Sequence, residues 1–66
     1  MISYEPFFKT LEKNKKTLYA LNKKDGISRN TIFRMQQGKP ITTETIDKLC
    51  GILKCEISDI IELKKD

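Results

Sequence analysis

Histidine is absent from this sequence, and cysteine occurs only at positions 50 and 55. A structural zinc site needs about four nitrogen or sulfur ligands, and a disulfide scaffold needs several paired cysteines, so the composition implies neither. Both thiols are expected to be reduced and at least partly buried, behaving as small apolar groups. Without an imidazole, a glycine-rich phosphate loop or an acid pair beside an evident cleft, the residues for general acid–base or nucleophilic chemistry are missing. The expectation is a protein that is not an enzyme and that holds no metal and no cofactor. Long apolar runs are missing too. None approaches the roughly 18 residues that cross a bilayer, and the Met1 end lacks the basic-then-apolar order of a secretion signal. A cytoplasmic location follows as an expectation, with no membrane and no small-molecule substrate among the partners. No internal repeat or low-complexity segment is present. A chain of 66 residues lies near the lower limit for a self-supporting core, which leaves room for a single domain over 1–66.

Acidic side chains are scarce in the first part of the chain. From Lys9 to Lys39, nine Lys or Arg residues stand against only Glu12 and Asp25, a local charge of +7. Residues 40–66 carry −2, and Glu5 supplies the remaining −1 of a net +4. A polyanion partner accounts for this asymmetry; lysine-rich helices that merely solvate their outer faces are the alternative on charge alone.

What is present is helical patterning throughout, with no convincing strand. Pro6 suits the opening of a first helix, Ser3 or Glu5 could cap it, and Phe7, Phe8 and Leu11 recur at spacings of three and four. Asn14 can close that helix in a left-handed conformation before a solvated Lys15-Lys16 link. Thr17 caps a second helix carrying Leu18 and Leu21, which Asp25-Gly26 ends, and Ile27 falls inward as the plug of the turn. Ser28 opens a third helix that runs to about Gln37 before Gly38. With Ile32 and Met35 on the core, Arg29, Asn30, Phe33, Arg34 and Gln37 share the opposite side. Pro40 forbids continuation, Thr42 caps a fourth helix with Ile46, Leu49 and Leu53 buried, and Ser58 can cap a last short helix holding Ile60, Ile61 and Leu63. Two short helices joined by a tight turn, the second presenting arginine and asparagine outward, are the local pattern of a helix-turn-helix.

Taken in order, Thr17 with Leu21, Gly26-Ile27-Ser28, Ile32, Gly38-Lys39, and Ile46 to Leu53 followed by Ile57-Ser58-Asp59-Ile60 resemble a known family over nearly the whole chain. It is the Cro and phage-repressor type of helix-turn-helix regulator, also called XRE-like. The resemblance implies an all-α fold, a compact five-helix bundle of the lambda-repressor-like type, with a supporting helix at about 17–24 and a recognition helix at about 28–37. It also implies sequence-specific binding of double-stranded DNA and a role in transcription regulation, as a repressor. In that family the positions matching Arg29, Asn30 and Arg34 face base edges, and those matching Thr17, Leu18, Ser28 and Lys39 lie near phosphates. Three positions depart from the pattern. Leu18 stands where a glutamine often anchors a phosphate, Gln36 where glutamate is common, and Asn22 where a small alanine lets the two helices approach. Asn22 could bond to the turn or shift the helix crossing.

The chemistry of these side chains agrees with the resemblance. An arginine fork can bond guanine O6 and N7 together, and an asparagine can bond adenine N6 and N7, each pair contributing about 1–3 kcal/mol of discrimination. Arg34 can reach a base or a phosphate. Thr31 and Phe33 are candidates for base or sugar contact, Phe33 resting against sugar or a thymine methyl. Lys15, Lys16, Lys39 and Gln37 join the phosphate set. One such module covers only about 600–1,000 Å² of DNA, so a homodimer on an inverted-repeat operator is the economical arrangement. Ile57, Ile60, Ile61 and Leu63 are candidates for its seam or, alternatively, complete the small core. A protein-binding helical module, such as an antitoxin or accessory factor, is the competing functional class.

Overall fold

The computed structural model describes residues 1–65. In chain order they form strand β1 (Ile2–Ser3), helices α1 (Glu5–Lys13), α2 (Leu18–Lys23), α3 (Arg29–Gln36) and α4 (Thr43–Leu53), a 3-10 turn (Ile57–Asp59) and strand β2 (Glu62–Leu63). Three helix starts follow from side-chain oxygens. Thr17, Ser28 and Thr42 hold extended backbone and accept from the amides of Ala20, Thr31 and Thr45 at 3.1, 3.1 and 3.2 Å. Each bond satisfies an amide that a helix start leaves free, so these boundaries are set locally. α1 opens on Glu5 and Pro6 instead. The proline lacks only an N–H that would have had no helical partner, and the carboxylate suits the positive end of the helix dipole.

Helix stops depend on left-handed residues. After α3, Gly38 takes φ +72°, and the Gly38 and Lys39 amides donate back to the Met35 and Arg34 carbonyls at 3.1 and 2.8 Å. The same pair of bonds closes α1, from Lys15 to Glu12 at 3.0 Å and from Lys16 to Leu11 at 2.9 Å. There the left-handed residue is Lys15, at φ 55°, while Asn14 stays at φ −88°. The expected stop at Asn14 therefore falls one residue later, because the closing bond to the Leu11 carbonyl sets the position. A side chain with a Cβ in this conformation costs about 1–2 kcal/mol, which the surrounding bonds offset.

One buried cluster holds the helices together: Phe7 and Leu11 from α1, Leu21 from α2, Ile27 from the turn, Ile32 and Met35 from α3, Leu49 and Leu53 from α4, with Tyr4 and Ile60. Each such side chain contributes about 1.5–3 kcal/mol when fully buried. Tyr4 belongs to no helical stripe. Its ring is buried and its hydroxyl donates to the Lys39 carbonyl at 2.6 Å, tying the first residues to the segment that follows α3.

The C-terminal segment departs from the five-helix expectation. Four α-helices are present among the described residues, and the last helical element is a 3-10 turn. Its cap is Glu56, not Ser58; the Asp59 carboxylate accepts from the Glu56 amide at 3.0 Å. Ile60 is completely buried, Ile61 half-buried and Leu63 70% exposed, so these residues do not share a helical face. The chain instead runs extended, and β2 pairs antiparallel with β1 in the register Ile2 to Leu63 and Ser3 to Glu62. The Lys64 amide donates to the Met1 carbonyl at 2.8 Å, and the Lys64 ammonium meets Glu5 at 2.8 Å. That hydrogen bond holds the Glu5 carboxyl below its ordinary range and the Lys64 ammonium above its own.

Candidate nucleic-acid interface

The turn between α2 and α3 fixes how the two helices meet. Gly26 supplies φ +75°, which lets the Ile27 amide donate to the Leu21 carbonyl at 3.1 Å while the Ile27 side chain enters the core. Asn22 settles its two alternatives by bonding to the turn: its Nδ2 donates to the Ile27 carbonyl at 2.8 Å. The amide group occupies the approach between the helices and satisfies a carbonyl there. Lys16 closes the turn from the other side. Its ammonium stands 2.8 Å from Asp25 Oδ2, with the two side chains 27% and 21% exposed. Lys16 is thus engaged within the fold, unlike the exposed Lys15 beside it.

α3 buries Ile32 and Met35 and leaves Arg29, Asn30, Phe33, Arg34, Gln36 and Gln37 exposed. Arg29 and Asn30 lie side by side at its outer start. Thr31 is half-buried, its Oγ1 accepting from Ser28 Oγ at 2.9 Å. Arg34 Nε donates to the Pro40 carbonyl at 3.0 Å, a bond that braces the loop after α3 while the residue stays exposed. Lys39 is exposed beyond the helix end. Thr17 and Ser28 are exposed caps, and Leu18 packs half-buried against the core, leaving its main-chain amide among the free donors of the α2 start. Such a face can offer planar donors to base edges and cations to phosphates.

One residue of this region escaped the sequence pattern. Tyr19, 71% exposed, and Phe33, 53% exposed, both line a cleft of about 290 Å³ that Leu18, Asn22, Arg29, Ile32 and Gln36 complete. Its only sequence signal was an aromatic next to Leu18 at an outward helical position. Of the four suggested seam residues, Ile60 belongs to the core and Ile61 is half-buried, while Ile57 and Leu63 are exposed. Among the described residues no group of three or more His, Cys, Asp or Glu side chains could hold a metal ion, and no helix is long and apolar enough to cross a membrane.

Comparison with known proteins agrees with this geometry. No curated protein sequence matches the chain. A crystal structure of the transcriptional regulator VanUg, Form II, superposes with a TM-score of 0.89 at 23% identity, over 98% of this chain and 87% of that one, which shows a shared fold. The model of the Cro/C1-type helix-turn-helix DNA-binding domain matches residues 9–66. With its two-helix unit, outward donors and this match over most of its length, the chain belongs to the Cro/C1-type helix-turn-helix family of DNA-binding domains.

Proposed function

We propose that this protein is a transcriptional regulator that binds a specific double-stranded DNA sequence by inserting α3 into the major groove, and that it represses by occupying its site. The observation that carries this reading is the placement of Arg29 and Asn30 together at the exposed start of α3, above an apolar side made of Ile32 and Met35. Arg29 bonds a guanine and Asn30 an adenine, each through a bidentate pair. Arg34, with Nε committed to Pro40, uses its terminal nitrogens for a neighbouring base or a phosphate. Thr31 and Phe33 lie against base or sugar. Lys15, Thr17, Ser28, Gln37, Lys39 and the main-chain amide of Leu18 meet phosphates, and Lys16 contributes by holding the turn in place. The description of VanUg as a transcriptional regulator supports the same reading.

A twofold dimer on an inverted repeat fits the small footprint of one module. Ile57 and Leu63 are the exposed residues available to its seam.

Selection of bound duplexes from a random pool, repeated at two salt concentrations, tests the proposal. An inverted repeat is the expected product. Arg29→Ala should weaken binding to that site and relax one base position. Lys39→Ala should weaken all sequences alike and lower the salt slope by about 0.9. If no motif emerges and neither substitution alters duplex binding, the protein-binding module replaces this reading.

A further inference from the structure

The cleft between α2 and α3 differs chemically from the rest of the exposed α3 side. Leu18 and Tyr19 on α2 and Ile32 and Phe33 on α3 give it an apolar part, and Asn22, Arg29 and Gln36 complete its lining. Arg29, one of the proposed base readers, stands at its edge. We infer that this cleft receives the C5 methyl of a thymine in the bound duplex, so that one base pair is read by apolar contact beside the hydrogen bonds of Arg29 and Asn30. The inference rests on the DNA-binding reading above and adds Tyr19 to the specificity-determining residues.

Three observations favour this occupant. Tyr19 from α2 and Phe33 from α3 are both exposed and both line the cleft, and two such rings in one cleft form a surface that contact would cover. The amide of Asn22, which also lines the cleft, is already bonded to the Ile27 carbonyl, which lowers its demand for a polar ligand. The segment from Lys9 to Lys39 carries +7, so the apolar walls sit within a field that attracts a polyanion. Phosphate oxygens gain nothing from aromatic carbon. On the major-groove edges the thymine C5 methyl is the one group that offers a protruding apolar surface; cytosine has only a hydrogen at that position.

Replacing thymine by deoxyuridine removes that methyl and keeps the O4 acceptor and the pairing. The test therefore takes the duplex recovered by selection, substitutes each thymine singly, and measures the Kd with the unaltered protein, Tyr19→Ala and Phe33→Ala, each confirmed folded by circular dichroism. One thymine per half-site should lose about fourfold in affinity, the worth of one buried methyl group. The loss should shrink in Tyr19→Ala and vanish in Phe33→Ala. If every thymine tolerates the change while the unaltered protein still selects its motif, the methyl inference is overturned and the DNA-binding reading stands. A full-sized methyl effect in both variants also overturns it, because the methyl is then read elsewhere. Failure to recover any motif removes the DNA-binding reading itself, and this inference with it.

Discussion

Replacing Lys16 with alanine removes the ammonium 2.8 Å from Asp25 Oδ2, an oxygen shielded from solvent and without another partner among the described residues. An acceptor left unpaired in such a position costs about 1–3 kcal/mol. The side chains retain 27% and 21% of their exposure, so water relieves part of that penalty and the expected loss is about 1–2 kcal/mol. In a domain this small, 1 kcal/mol moves Tm by about 4–8 °C, which puts the fall at roughly 4–16 °C. Thermal unfolding followed by circular dichroism at low salt reads it directly. Asp25→Ala should also destabilise, and the double substitution should be less damaging than the two single losses added together. The slope of DNA affinity against salt should remain near its original value in Lys16→Ala and flatten in Lys15→Ala. A Tm within about 2 °C of the parent, against the shift expected for a kcal/mol-scale loss, would refute the claim that Lys16 serves the turn. A flattened salt slope in Lys16→Ala would return that lysine to the phosphate set.

Asn22→Ala should lower stability by about 0.5–1.5 kcal/mol in urea unfolding through loss of the bond to the Ile27 carbonyl, although alanine fits the space more easily. Lys54, left-handed at φ 51° after α4, should become about 0.5–1 kcal/mol more favourable as Lys54→Gly; an unchanged denaturant midpoint would contradict the strain. Burial first, and then the neighbouring Cys50, raise the Cys55 thiol from 9.0 to about 11. The unfolded chain then releases its proton before the folded one does. Stability attached to this thiol is fully present below pH 9.0 and declines as pH rises towards 11, and Cys55→Ser should remove that decline in a pH series of unfolding midpoints.

The legible parts of the fold are those whose cause lies within a few residues. Thr17, Ser28 and Thr42 declare their helices because a cap needs only a hydroxyl and an amide three residues on. Ile32 and Met35 declare the inward side of α3 by helical spacing, which leaves Arg29 and Asn30 outward. The C-terminal segment misled the pattern because Ile60, Ile61 and Leu63 can be arranged on a short helix as readily as in a turn followed by a strand. The pairing of β2 with β1 was decided by the other end of the chain. Within the candidate site, Lys15 and Lys16 are indistinguishable in sequence, yet only Lys16 reaches Asp25.

By itself the sequence determined the family, the capped helices, the inward stripe and the basic outer side of α3, because propensity, capping and periodicity act over one or two helical turns. The tertiary structure alone decided that Tyr4 enters the core and braces Lys39, that Arg34 bonds Pro40, that Lys16 serves the turn, and that Tyr19 and Phe33 share a cleft. Each of these depends on where separate elements meet, and that placement is set by the packing of the whole core.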